Sequence, residues 1–264
     1  MAYIKRIFDN SVKVIFRREN NQKDQSVEIS IIIPVKNEAD NIKGLSAEIN
    51  QVMEKQSQFW ECIWVDDGST DDSLSILQEM CEKDTHHHRY LSFEHNAGLS
   101  AAFWAGFRAS RGMLLATFDG DSQNDPSDIP YLMKVLYSQG VDMVNGYCCK
   151  REDNLMRRLA AKISNSFNNW ITGETIHDIE CSTRVFKKEC ILDIPLFTGM
   201  YRFFPSLVSM QGYRLIEVPI AHHLSSKVET KYSVNNSLLG GIIDILGILW
   251  LKKRSLHYKI IQKS

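Results

Sequence analysis

No segment of the 264-residue chain reaches the roughly 18 uninterrupted apolar residues that a membrane-spanning helix requires. The longest apolar stretch, Leu238–Leu251, is interrupted by Asp244 and suits a helix lying on a bilayer better than one crossing it. The amino-terminal residues carry charges where a secretory leader has a continuous apolar run, so no such leader is expected. Basic residues are not in surplus: 31 Lys+Arg stand against 32 Asp+Glu, a formal charge of -1, which argues against a dedicated nucleic-acid binder. Cys62, Cys81, Cys148, Cys149, Cys181 and Cys190 form no C-x-x-C pair and have no ligand-like spacing. They read as reduced thiols of a cytosolic protein rather than as a zinc or disulfide framework. Internal repeats and low-complexity tracts are also lacking.

What the chain does have is 44% apolar and 24% charged residues, enough to bury a core. Strand-length apolar runs at Glu28–Ile33, Trp60–Val65, Arg89–Phe93, Met113–Phe118 and Val141–Val144 alternate with helical patterns. Those patterns cover Glu38–Lys55, Asp71–Glu82, Leu99–Ala109 and Pro126–Tyr137. Such alternation predicts an α/β fold of parallel βαβ units. In these sheets ligands are met at the carboxyl ends of the strands. Three polar clusters sit there: Pro34-Val35-Lys36-Asn37-Glu38, Asp66-Asp67-Gly68-Ser69 and Asp119-Gly120-Asp121-Ser122-Gln123.

The third cluster is the most informative. Asp119 and Asp121, two residues apart in a turn after a buried strand and followed by Gln123, offer hard oxygen ligands to Mg²⁺ or Mn²⁺. A metal held there neutralises charge on a departing diphosphate. The plainer alternative is an acidic turn that caps the next helix. Asp67 has the same two readings, as an acceptor for a base or ribose or as part of an Asp-Gly turn and helix cap. The row His86-His87-His88 reads as a polar connector, and Cys148-Cys149 as packing.

Together these motifs carry a resemblance. Ser30–Glu38, Val65–Ser69, Asn96-Ala97-Gly98-Leu99 with Ala102 and Gly106, and Asp119–Pro126 resemble the family 2 glycosyltransferases of GT-A fold. Glu217-Val218-Pro219-Ile220-Ala221-His222-His223, ending in Thr230-Lys231-Tyr232, is similar to the branch that makes polyprenyl-phosphate sugars, the dolichol-phosphate mannose synthase type. The likeness runs from about residue 28 to 232. It implies a Rossmann-like, mostly parallel sheet flanked by helices. It also implies inverting transfer of a sugar from a nucleotide-sugar, with UDP-hexose favoured and GDP-mannose next, to undecaprenyl or another polyprenyl phosphate. Cell-envelope glycan or lipid A modification is the implied use. By position, Pro34, Lys36, Glu38, Val65, Asp67, Gly120, Arg202 and Lys231 would line the nucleotide-sugar. Asp119, Asp121 and Gln123 would hold Mg²⁺ or Mn²⁺, with Asp121 and Asp119 carrying catalysis through it. Arg184, Lys227 and Lys231 would meet the acceptor phosphate.

The chain departs from the pattern in places. Lys36 stands where the family often has Tyr, and Ser182 stands where Gly is usual before Arg184. Ser225 and Val228 replace an Arg and a Gly in the loop before Lys231, where Lys227 supplies a charge. These departures keep a non-catalytic, ligand-binding homologue open as an alternative. A HAD-type phosphatase, suggested by Asp119-x-Asp121, has Thr or Val where Gln123 stands and uses its first strand.

The domain reading is a basic and apolar arm over 1–25, the transferase domain over 26–232, and an amphipathic tail over 233–264. The transferase domain divides into a nucleotide half, 26–146, and an acceptor half, 147–232. The arm and tail pair apolar residues with Lys and Arg, the composition of segments lying in an anionic interface. Peripheral attachment to the cytoplasmic face of the membrane is therefore expected, and self-association is left open.

Overall fold

The computed structural model describes residues 27–120, 124–148, 181–220 and 238–254. The central strand β1, Ile29–Val35, is buried at every position, the pattern of a parallel strand covered on both faces. It pairs in parallel with β2 (Trp60–Asp66) on one side and β4 (Leu114–Thr117) on the other, and β2 pairs in parallel with β3 (His88–Ser92). β5 (Met143–Cys148), β6 (Arg184–Lys187) and β7 (Leu215–Ile220) complete a seven-stranded sheet of order β3-β2-β1-β4-β6-β5-β7. The chain leaves β1 toward β2 and β3, then returns to place β4 on the opposite side. The carboxyl ends of β1 and β4 therefore bound the crevice where the winding reverses.

Helices cover both faces. Odd-numbered residues of β1 pack with α1 (Ala39–Met53), α2 (Ser73–Lys83) and α4 (Asp128–Gln139), whose apolar residues recur at helical spacing: Ile42, Leu45, Ile49 and Met53 in α1, and Ile129, Leu132, Met133 and Leu136 in α4. The other face receives α3 (Leu99–Ala109) at Gly106, where an added Cβ would lie 2.3 Å from Ile32 Cγ2. Only a residue without a side chain lets α3 come that close. Phe103 and Phe107 of α3 then join Phe186, Tyr201 and Phe204 in an aromatic layer, with Phe103 stacked on Tyr201 at 4.3 Å. A short helix α5, Phe204–Met210, follows a 3₁₀ turn over Met200–Phe203. The apolar helix α6, Leu238–Arg254, belongs to a second compact unit and is described by itself.

Two features differ from the sequence expectation. The segment from Arg184, where the sequence shows no strand-length apolar run, forms β6, which enters antiparallel between β4 and β5. Four residues are too few to display an alternating pattern, and β6 owes its conformation to its neighbours on both sides. The histidine row is only partly a polar connector. His88 opens β3 and is buried, accepting at Nδ1 from the Trp64 indole N–H (3.1 Å), with Nε2 at 2.8 Å from Asn50 Oδ1. His87 stacks on Trp60 at 4.4 Å.

Burial pushes His88 down to about 4, against the pull of Asp84. The folded state therefore holds the neutral ring, whereas the unfolded chain takes up a proton near pH 6.5. His88 costs nothing at neutral pH. Below about pH 6.5 it withdraws stability progressively, to a total of about 3 kcal/mol below pH 4. Urea titrations at pH 7 and pH 4.5 should show a larger acid-induced loss in the wild type than in His88→Gln. Equal losses would contradict this assignment.

Candidate active site

The crevice is built from strand exits laced together by backbone and short side chains. β1 ends at Pro34 and Val35, and the Val35 carbonyl accepts from the Asp67 N–H at 2.9 Å, tying the exit of β2 to that of β1. Asn37 turns in the left-handed region at φ 54, where Asn is tolerated better than most residues. Its side-chain oxygen accepts from the Thr70 N–H (2.8 Å), and its own N–H donates to Ser69 Oγ (2.9 Å). The Glu38 N–H donates to Ser73 Oγ at 2.9 Å, and Glu38 Oε2 accepts from Asn41 Nδ2 at 2.6 Å. Lys36 and its neighbours are thus held on a fixed rim.

Asp67 is buried beside this rim. Its carboxylate accepts from the N–H groups of Ala97 (2.6 Å) and Gly98 (3.0 Å), which fastens the loop before α3 over the end of β2. Burial raises its pKa, opposed by those two N–H groups and by the nearby Lys36 charge. Gly68 is required by two facts: its φ is +66, and a Cβ there would lie 2.7 Å from the His95 carbonyl carbon. Asp66 serves the turn, accepting from the Ser69 N–H (3.1 Å) and Ser92 Oγ (2.9 Å).

Asp119 stands at the tip of β4, half-buried, just after the fully buried Phe118, whose N–H bonds the Ile32 carbonyl at 3.1 Å. Gly120 brings this tip flush against β1, for a Cβ there would lie 2.8 Å from both the Pro34 carbonyl oxygen and Val35 Cγ1. A carboxylate at such a strand tip is a hard oxygen donor and fits a divalent cation. Its expected co-ligands Asp121 and Gln123 lie outside the described residues, as do Lys227 and Lys231. Among the described residues no three His, Cys, Asp or Glu side chains come together as a metal cluster.

Five sequence-nominated positions, Pro34, Lys36, Glu38, Val65 and Asp67, meet with Asp119 and Gly120 at the ends of three adjacent strands. Arg202 lies in the 3₁₀ turn next to Tyr201, whose buried phenol feels the charges of Arg184 and Asp119. Arg184, expected at an acceptor phosphate, has no exposed surface. Its Nε donates to Asn145 Oδ1 (2.8 Å), one terminal nitrogen donates to the Tyr201 carbonyl (3.2 Å), and its guanidinium lies 4.5 Å from the Tyr201 ring centroid. That geometry gives Arg184 a supporting place beneath the crevice rather than a surface that a phosphate can reach. Sequence reasoning did not nominate Thr117, Asn124 or Tyr201. Asn124 sits within the acidic motif, which was the one available signal; the others are recognised only by contacts made across the fold.

The sequence profile of glycosyl transferase family 2 matches residues 30–194. A dodecaprenyl-phosphate galacturonate synthase from Rhizobium johnstonii is 31% identical over 89% of this chain and 70% of its own length. An undecaprenyl-phosphate 4-deoxy-4-formamido-L-arabinose transferase from Photorhabdus laumondii is 31% identical over 80% of this chain and 64% of its own. The chain therefore spans about two thirds of the length of these relatives. In architecture it is similar to glucosyl-3-phosphoglycerate synthase from Mycobacterium tuberculosis, solved in complex with Mn²⁺, UDP and glucosyl-3-phosphoglycerate. That likeness has a TM-score of 0.59 and 16% identity, covering 84% of this chain and 80% of the other. A GT-A sheet with acidic strand tips at its switch point, matched by the family profile over most of that sheet, makes this chain a member of glycosyl transferase family 2.

Proposed function

We propose that the protein is an inverting transferase that moves a sugar from a nucleotide-sugar to a polyprenyl phosphate, with a UDP-hexose as the favoured donor. The observation that carries this reading is the meeting of Asp67 with Asp119 and Gly120 at the switch point bounded by β1, β2 and β4. The two relatives, named as a dodecaprenyl-phosphate and an undecaprenyl-phosphate sugar transferase, support the acceptor class. The Mn²⁺ and UDP in the structural neighbour support the donor class and a divalent cofactor, Mg²⁺ or Mn²⁺.

In this reading Pro34, Lys36, Glu38, Val65 and Asp67 border the nucleoside, and Arg202 and Lys231 face its diphosphate. Asp119, Asp121 and Gln123 would hold the metal, which when bound offsets the charge that develops on the departing diphosphate. Lys227 and Lys231 draw the acceptor phosphate toward the donor, offsetting the repulsion between two anionic substrates. A phosphate oxygen is already anionic near neutral pH, so the attack needs no proton removed. Catalysis then rests on alignment and charge stabilisation, and a single displacement inverts the anomeric centre.

Attachment to the membrane surface belongs to the same proposal. In α6, Leu246 and Trp250 are exposed ahead of Lys252, Lys253 and Arg254. No helix among the described residues is long and apolar enough to cross a membrane. The full chain should float with anionic liposomes, and failure to float would remove this part of the reading.

The deciding assay incubates the protein with Mn²⁺ or Mg²⁺, a panel of labelled nucleotide-sugars and a short polyprenyl phosphate. Label in an organic-extractable, lipid-linked sugar is the expected result. Donor binding with no transferred sugar across the panel would favour the non-catalytic homologue instead.

A further inference from the structure

Asp119 is bracketed by two buried polar residues that bond the same partner. Two positions before it, Thr117 at the end of β4 donates its hydroxyl proton to the Ser182 carbonyl. Five positions after it, Asn124 donates its side-chain N–H to Ser182 Oγ at 3.0 Å. All three residues are buried: Thr117 is 0%, Ser182 4% and Asn124 6% exposed. Ser182 is itself fixed, because it lies at the entry to β6, and Arg184 sits opposite Thr117 in the β4–β6 ladder. One residue from a distant part of the chain therefore holds both flanks of the strand tip that carries Asp119. A glycine at position 182 would retain the carbonyl for Thr117 and lose the acceptor for Asn124.

We infer that Ser182 is a positioning residue of this chain, whose hydroxyl, through Asn124, fixes the backbone flanking Asp119 so that the Asp119 carboxylate is held for a cation. The inference rests on the reading of Asp119 as a metal ligand. Ser182 touches neither metal nor sugar in this account. It acts by holding both flanks of Asp119, as partners that orient a metal's ligands do in general. Asn124 is well suited as the intermediary because it is buried, so breaking its bond leaves a buried amide without that partner.

The test is a Mn²⁺ titration of the full chain in the presence of UDP, followed by the EPR signal of free Mn²⁺. Wild type is compared with Ser182→Ala, Asn124→Ala and the double variant. Each single variant is expected to weaken Mn²⁺ binding about 10-fold, and the double variant no more than either single, because both remove the same bond. In the transfer assay the Mn²⁺ concentration for half-maximal rate should rise in Ser182→Ala, while the rate at saturating Mn²⁺ changes less. A merely structural role would lower the melting temperature and leave the Mn²⁺ affinity of the folded protein unchanged. Binding by Ser182→Ala within twofold of wild type, or multiplicative losses in the double variant, would overturn the inference. Should Ser182→Ala not fold, Asn124→Ala decides the matter from the other end of the bond. A wild type that binds Mn²⁺ but forms no lipid-linked sugar would sink the assigned reaction, and the ratio of variant to wild-type affinity would still judge Ser182.

Discussion

Asp119→Asn should lower kcat/KM for sugar transfer by about a thousandfold while leaving the fold intact. The substitution keeps the size of a side chain that is only half-buried at the tip of β4, so packing gives no reason for a large loss of stability. It removes a negative charge and one of the two oxygens at the point where β1 and β4 part, where Gly120 lies flush against the Pro34 carbonyl. A neutral amide is a far weaker partner for a divalent cation than a carboxylate, so the charge developing on the departing diphosphate would go largely unopposed. The loss should fall mainly on the rate at saturating substrate if the interaction strengthens in the transition state. Initial rates with both substrates varied, together with the circular dichroism spectrum of the variant, check this. Retention of a tenth or more of wild-type activity would contradict it.

Glu61→Ala should produce the opposite pattern, a large loss of stability with little change in chemistry. Glu61 lies near the start of β2, at the far end of the strand from Asp67, and its side chain is fully buried. One carboxylate oxygen accepts from Ser30 Oγ (2.7 Å) and the Arg111 N–H (2.7 Å). The other accepts from the guanidinium groups of Arg89 (2.8 Å) and Arg111 (2.9 Å). Burial alone would raise its pKa, but the bonds from Ser30, the Arg111 N–H and Arg89 outweigh burial and hold the carboxyl below its ordinary value. Removing the carboxylate orphans the Arg111 N–H and the guanidiniums, although partial exposure lets both arginines recover some water. The expected cost is about 3 kcal/mol, a fall in Tm on the order of 9 °C for a chain of this size. The depressed pKa fixes the sign with pH. The charged form stabilises the fold above the unfolded value of about 4.3, and that contribution is lost as pH falls through the lower folded value. Denaturant melts of wild type and Glu61→Ala should therefore differ most near neutral pH and converge in acid. A constant difference across that range would contradict the account.

Much of the amino-terminal half of the sheet was legible in the sequence because its strands bury both faces. The unbroken run Ile31-Ile32-Ile33 and the stretch Trp60–Val65 have few other uses in a chain of this composition. The polar clusters that follow them were legible as site candidates for the same reason, since a carboxylate directly after a buried strand must emerge at the sheet's edge. The departures come from contacts between distant residues. β6 is a strand because β4 and β5 both pair with it, which four residues cannot announce. His88 is a core residue because Trp64 and Asn50 receive it, whereas its neighbours His86 and His87 make it look like part of a loop. The bond between Asn124 and Ser182 joins positions 58 apart, so Ser182 acquires meaning only in the folded chain. Arg184 reads as a phosphate-binding cation until its burial under Tyr201 is seen.

In the proposed function the crevice bounded by β1, β2 and β4 holds a nucleotide diphosphate through a divalent cation gripped at Asp119. Calorimetric titration of UDP into the wild type and Asp119→Asn, each with and without Mn²⁺, tests this most directly. Binding by the wild type should tighten at least 10-fold on adding Mn²⁺, with no such gain in Asp119→Asn. Equal gains in the two proteins, or binding by the wild type that ignores the metal, would contradict it.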